Sequence, residues 1–201
     1  MSSENIHTVY DRLLGREAKE KMLSQHGCVV WLFGLSGSGK STIADSLERK
    51  LHSKGYYTQL LDGDNVRDGL NSDLGFSDSD RAENIRRIAE VAKLHATAGI
   101  VTIVSFITPY EELRKSAQQI IGKDYISVYI KCSFEECAKR DPKGLYAKAL
   151  NGEIKDFTGK DSLFHEPEST DLTVDTESVS LEDAVARIYD FIKPKIAFNA
   201  A

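Results

Sequence analysis

The sequence predicts an α/β fold, a parallel sheet of about five strands with helices on both faces, because short β-branched runs alternate with longer amphipathic stretches along the chain. Two features sharpen this expectation. Several short runs are almost continuously apolar, as strands buried on both faces are, and a glycine-rich turn joins the first run to the stretch that follows it. The 201 residues suffice for one sizeable core.

Strands are expected at 28–33, 57–61, 100–106, 126–131 and 172–174. The helix over 41–53 places Ala44, Leu47 and Leu51 three and four apart, one inward stripe. The helix over 80–98 opens with Asp80 and Glu83 at capping-box spacing, carries Ile85, Ile88, Ala92 and His95 on one face, and ends at Gly99. Further helices are expected at 110–121, 133–140 and 181–192. Residues 141–168 mix glycines, lysines and isolated aromatics without a clean period, and read as a mobile loop or lid. Residues 1–26 read as an N-terminal helical appendage to a domain spanning 27–201.

Charge and composition narrow the function. The 26 basic and 31 acidic side chains give a formal net charge of -5, which argues against a general nucleic-acid binder, whose phosphate contacts come from a basic surface. The first 21 residues are charged and lack a signal peptide's apolar segment, and no run of about 18 apolar residues occurs, so a cytoplasmic protein without a membrane partner is expected. Cys28, Cys132 and Cys137 form no CxxC pair and read as reduced core thiols.

The glycine-rich turn, Gly34-Leu35-Ser36-Gly37-Ser38-Gly39-Lys40-Ser41, satisfies GxxxxGK(S/T) between a predicted strand and a predicted helix. Glycines let backbone amides converge on phosphate oxygens, and the new helix adds its positive end. Lys40 then reaches the β and γ phosphates, and the Ser41 hydroxyl suits Mg²⁺. The motif therefore predicts a P-loop nucleoside-triphosphate hydrolase-type core, with ATP or GTP as ligand; the reaction is set by a second site.

A second site is expected beyond the second strand, at Asp62-Gly63-Asp64-Asn65-Val66-Arg67, because ligands of doubly wound sheets gather past the carboxyl ends of strands. One carboxylate can orient or accept the proton of an attacking hydroxyl, the other can hold magnesium water, and Arg67 can neutralise an anion. An Asx-rich turn with a solvated ion pair is the bland alternative. Arg81 and Asn84, three apart at a helix start, face the same way and can contact one ligand, or can serve capping and surface pairing. Phe76 and Phe157 can sandwich a base or can be core aromatics. Lys143 can close on a substrate phosphate or sulfate, and Arg140 can stack on a nucleotide base or compensate its own helix terminus.

These residues resemble the adenylylsulfate kinases, which use MgATP to phosphorylate the 3'-hydroxyl of adenosine 5'-phosphosulfate. The resemblance runs through GLSGSGKST at 34–42, DGDNVRDGLN at 62–71, LGFSDSDRAENIRRIAEVAKL at 74–94, FITP at 106–109, DPKGLYAKA at 141–149 and GEIKDFTG at 152–159. It implies a P-loop kinase, usually homodimeric, acting on ATP and adenosine 5'-phosphosulfate in sulfate assimilation, with a lid over the sulfated nucleotide. It implies Gly34, Leu35, Ser36, Gly37, Ser38, Gly39, Lys40, Ser41, Thr42 and Arg140 for ATP, and Ser41 with Asp62 for Mg²⁺, partly through water. It also implies an adenine clamp of Phe76 and Phe157, anion and ribose contacts from Arg67, Arg81, Asn84 and Lys143, catalytic carboxylates Asp62 and Asp64, and an acceptor pocket that includes the backbone of Ser105, Ile107 and Thr108.

Two departures stand out. Thr108 occupies the place of a serine that is sometimes described in bacterial forms as a phosphoserine intermediate; direct transfer is expected here, with Thr108 in a structural or acceptor-positioning role. Glu111 and Glu112 follow the proline where a basic residue is common, leaving Arg114 as that loop's basic candidate. The chain has no room for a sulfurylase domain, so a stand-alone kinase is expected. Rival readings are kinases of nucleoside monophosphates, shikimate or gluconate, a regulatory GTPase, for which no NKxD run exists, and a nucleotide sensor without turnover, against which Asp62 and Asp64 count.

Overall fold

The computed structural model describes residues 7–9, 12–154 and 157–198. Among these residues, five strands run parallel: β1 (Cys28–Phe33), β2 (Thr58–Asp62), β3 (Val101–Ser105), β4 (Tyr125–Lys131) and β5 (Leu172–Asp175), in the order β2-β3-β1-β4-β5. The chain leaves β1 toward one edge and later crosses to the other, so the strand order switches at β1. Ligands of such sheets lie beyond this point.

The hydrophobic pattern explains the layers. Val30 and Leu32 of β1 face α2 (Lys40–Ser53) and α8 (Leu181–Ile196), where Leu47, Leu51, Ile188 and Ile192 complete one core. Val29, Trp31 and Phe33 point the other way, against Ile88 and Ala92 of α4 (Asp78–Thr97) and Ala117 of α5 (Glu111–Ile121). All six residues of β1 are buried, as its unbroken apolar run requires. The three cysteines are buried and unbridged.

Several boundaries differ from expectation for local reasons. The cap of α4 is Ser77, whose Oγ accepts from the Asp80 amide at 3.2 Å and donates to Asp80 Oδ2 at 2.7 Å, so the reciprocal box begins three residues before Asp80. Glu83 instead pairs with Arg86 and Arg87. At the other end of α4, the Gly99 amide bonds Ala96 O and the Ile100 amide bonds His95 O, the paired bonds of a Schellman motif. Helix α8 continues through Pro194 to Ile196, which is fully buried.

Four further α-helices, α1 (Arg16–Leu23), α3 (Gly63–Asp68), α6 (Phe134–Arg140) and α7 (Leu145–Leu150), and a 3-10 turn at Gly122–Asp124 complete the described elements. Helix α3 stands where the bland alternative has an Asx-rich turn, and is capped by Asp62, whose Oδ1 accepts from the Asp64 amide at 3.1 Å. Helix α7 lies inside the stretch expected to be irregular; the Asp141 carboxylate accepts from the Tyr146 and Ala147 amides, both at 3.0 Å. Of the expected appendage, residues 1–6, 10 and 11 lie outside the described residues, as do 155 and 156 of the expected lid. Residues 7–9 and 12–15 are exposed, and from Arg16 on the segment packs against the domain: Arg16 donates to Gly27 O at 2.7 Å and pairs with Asp124. The buried Gln25 amide bonds Tyr57 and Gly99, tying the entrances of β2 and β3 together. No helix among the described residues is long and apolar enough to cross a membrane.

Candidate active site

The turn after β1 is shaped by close backbone approach. Gly34 has φ +151°, and a Cβ there would stand 2.4 Å from Ile130 O; at Gly37, with φ +76°, it would stand 3.1 Å from Cys137 O. Neither position accepts a side chain without moving backbone. Two residues unremarked in the sequence hold the turn from outside. The Tyr146 hydroxyl of α7 donates to Ser36 O at 2.7 Å, and the Thr176 hydroxyl beyond β5 donates to Ser38 O at 3.0 Å. Arg140 in turn donates to Thr176 O and Thr176 Oγ1, both at 3.0 Å.

Lys40 is buried and donates to Leu35 O at 2.7 Å. Burial pushes its ammonium down to about 8. Ser41 Oγ donates to Asp62 Oδ2 at 2.7 Å and lies 3.4 Å from Ser105 Oγ, so the first turn of α2 meets the ends of β2 and β3. Beyond them Asp64 pairs with Lys143, two residues before α7.

The opposite wall comes from α3, α4 and the loop between them. Arg67 donates to Gly75 O at 2.8 Å and its guanidinium lies 4.5 Å from the Phe76 ring centroid, while Phe76 itself is 66% exposed. Arg81 donates to Phe76 O at 2.9 Å and to Thr158 Oγ1 at 2.7 Å. Burial, and after it the neighbouring Arg81 charge, lower the pKa of Arg67. An anion between the two guanidinia would relieve that repulsion. Phe157 stands edge-on to Tyr146, 4.8 Å between centroids, against the small core around Leu35 and Cys137.

These walls enclose one cleft of about 970 Å³. Of the residues singled out in the sequence, Ser36, Gly37, Gly39, Lys40, Ser41, Thr42, Asp62, Asp64, Arg67, Phe76, Arg81, Asn84, Ser105, Ile107, Thr108, Arg140, Lys143 and Phe157 line it. Gly34, Leu35 and Ser38, members of the same turn, do not. Thr176, Val179, Ser180 and Leu181, which the sequence did not single out, close the side of the cleft between β5 and α8.

Arg114 corrects an expectation. It does not offer its charge to a ligand: it is 5% exposed, pairs with Glu111, and donates to Thr108 O at 3.0 Å, Pro109 O at 3.3 Å and His165 O at 2.9 Å. Its guanidinium lies 5.0 Å from the Phe33 ring centroid. The first glutamate after the proline is its partner, so the pair braces the loop after β3 against residue 165.

Thr108 has φ +44°, a left-handed conformation unfavourable for a β-branched residue. It is 1% exposed, and its Oγ1 accepts from the Trp31 indole at 2.9 Å. The hydroxyl thus satisfies a buried donor. Thr108→Ala is expected to lose about 1–3 kcal/mol of stability by stranding that indole N–H, while kcat stays within about tenfold of wild type. Thr108→Ser should restore the melting temperature. A variant that melts like wild type yet has no turnover would contradict this structural role.

A phosphate-cradling turn at the switch point of a parallel sheet, with paired carboxylates and guanidinia across one cleft, defines a P-loop phosphotransferase. Residues 26–175 match the family described as adenylylsulphate kinase. The adenylyl-sulfate kinase of Clostridium acetobutylicum is 57% identical over 178 residues, 89% of either chain, and that of Bacteroides thetaiotaomicron is 52% identical over 193 residues, 96% of either chain. Among solved structures, the Mycobacterium tuberculosis APS kinase in complex with AMPPNP and APS superposes with a TM-score of 0.81 at 45% identity, covering 84% of this chain and 98% of that one. The chain belongs to the adenylylsulfate kinase family.

Proposed function

We propose that the protein transfers the γ-phosphoryl group of ATP to the 3'-hydroxyl of adenosine 5'-phosphosulfate (APS), giving 3'-phosphoadenylylsulfate and ADP. The observation that carries this reading is that one cleft holds both sets of groups. Its volume lies at the upper end of the range for small-molecule sites, lined by the P-loop with Asp62 against Ser41, by Asp64, and across from them by Arg67, Arg81 and Asn84. Family membership supports the assignment of acceptor.

In this reading the backbone of 34–41 and Lys40 hold the triphosphate, and Thr42 and Arg140 border the rest of the ATP. Phe76 and Phe157 clasp the acceptor's adenine; Arg67, Arg81 and Lys143 face its phosphosulfate, and Asn84 with the backbone of Ser105, Ile107 and Thr108 fixes its ribose. One of the carboxylates, Asp62 or Asp64, orients the 3'-hydroxyl and receives its proton. The hydroxyl oxygen bonds to the γ phosphorus as the bond to the β–γ bridging oxygen breaks, and ADP leaves. Lys40 stabilises charge on the transferring group. The transfer is direct, with no phosphothreonine at Thr108.

Magnesium fits the donor set. Ser41 Oγ and Asp62 Oδ2, 2.7 Å apart, are hard oxygen donors at the mouth of the turn. No group of three or more His, Cys, Asp or Glu gathers for a metal among the described residues, and Mg²⁺ takes few protein ligands beside phosphate oxygens and water. Bound with ATP, it neutralises phosphate charge. Ser41 and Asp62 would hold it, partly through water. The proposed assembly is a homodimer, as the resemblance to the family implies, and the proposed compartment is the cytoplasm, from the charged N-terminal segment.

The test is ADP release from MgATP with different acceptors. APS should be turned over with a kcat/KM at least about 100-fold above AMP, shikimate or gluconate, since polar groups placed for a sulfated adenylate stay unpaired with the others. Comparable turnover of AMP would reassign the acceptor.

A further inference from the structure

Asn71 does not line the cleft, yet it is completely buried. It stands behind Asn84, which does line it. The order of donors and acceptors through this pair starts at Arg87. That guanidinium is fixed by Asp73, at 2.7 and 2.9 Å, and by Glu83 at 2.8 Å. It has only donors to offer, and its Nη1 faces Asn71 Oδ1 at 3.5 Å. With its carbonyl held on that side, Asn71 turns its NH₂ to Asn84 and donates to Asn84 Oδ1 at 2.8 Å. An asparagine whose oxygen is occupied in this way presents its NH₂ on its remaining side. Flipping the Asn84 amide would set two NH₂ groups against each other in a buried place, at the cost of a buried donor without a partner.

We propose that Asn71 is a positioning residue that locks the Asn84 amide with its NH₂ toward the acceptor half of the cleft. Asn84 then offers a hydrogen-bond donor to an oxygen of the acceptor's ribose. This rests on the assignment of APS as acceptor. The sequence gives no direct sign of it, because Asn71 and Asn84 lie thirteen residues apart with a loop and a helix start between them.

The experiment is steady-state kinetics with MgATP and APS on wild type, Asn71→Asp, Asn84→Ala and the double variant. The Asn71→Asp substitution keeps the shape of the side chain and the contact with Arg87, but it offers Asn84 only acceptors, so the Asn84 amide turns and shows its oxygen to the cleft. Asn71→Asp should raise KM for APS about tenfold or more while KM for ATP stays within about twofold. In the Asn84→Ala background the same substitution should add nothing, since Asn71 acts through Asn84. A folded Asn71→Asp with wild-type KM for APS, a rise in both KM values together, or penalties that multiply in the double variant would each overturn the proposal. If Asn71→Asp has no cooperative melt, Asn84→Asp takes its place: it keeps the bond from Asn71 and exchanges the cleft-facing donor for an acceptor. KM for APS must then rise by a similar factor, and an unchanged value overturns the proposal. Wild type without turnover on APS would reject the acceptor assignment and this inference together, whereas wild-type turnover with multiplying penalties rejects the inference alone.

Discussion

Lys40→Met is expected to lower kcat about 100- to 1000-fold, the loss seen when one preorganised charge-stabilising donor is removed from a site of this kind, and to melt no lower than wild type. The second half follows from burial. The Lys40 pKa is pushed from its ordinary 10.5 down to about 8, so the unfolded chain holds more protons than the folded one between those values. The unliganded fold therefore gains stability as pH rises through that window and carries the full penalty, on the order of 3 kcal/mol, below it. Methionine removes the penalty and loses one hydrogen bond, to Leu35 O, worth about 1 kcal/mol. A phosphate beside Lys40 restores the ammonium, so MgATP binding at about pH 8.5 should take up protons in wild type and not in Lys40→Met. Calorimetry in two buffers of different ionisation enthalpy measures this. Wild-type turnover in the variant would remove Lys40 from the chemistry; absent proton uptake in wild type would remove the phosphate from its side chain.

The two aromatics should separate binding from stability. Phe76 is 66% exposed and has the Arg67 guanidinium over its ring, so Phe76→Ala should weaken APS binding by about 1–3 kcal/mol, roughly 5- to 150-fold in Kd, with little change in melting. Phe157→Ala should weaken binding similarly but also cost roughly 1–3 kcal/mol of stability, because Phe157 packs on Tyr146 and the core around Leu35. From sequence alone Phe157 belongs to a lid, where its loss should change stability little; its contacts give it a share in both. Unchanged APS affinity in both variants would dissolve the clamp.

The parts of this molecule that can be read from its sequence are those whose physics is local. A six-residue apolar run with two valines, closed by a glycine turn, reads as a strand buried on both faces, and at Gly34 and Gly37 of that turn a Cβ would meet backbone oxygens. The parts that cannot be read depend on distant partners. Trp31 and Thr108 are 77 positions apart, and only the fold shows that the threonine hydroxyl serves a buried indole. Arg114 reads as a ligand contact because its charge is visible in the sequence and its four protein partners are not. Helix α7 is hidden by its cap: Asp141 reaches amides five and six residues ahead, outside the usual spacing. The carboxylates of the site are legible as a pair, but the contact between Ser41 and Asp62, on which the proposed magnesium position rests, comes from the first turn of α2 meeting the end of β2.

The most direct test is the identity of the product formed from MgATP and APS. Mass spectrometry and phosphorus NMR of the purified product should show one added phosphoryl group on the ribose 3'-oxygen, the sulfate retained, and one ADP released per product. ATP hydrolysis without a phosphorylated acceptor, or a phosphoryl group found elsewhere on the nucleotide, would contradict the placement of the 3'-hydroxyl between Lys40 and the paired carboxylates.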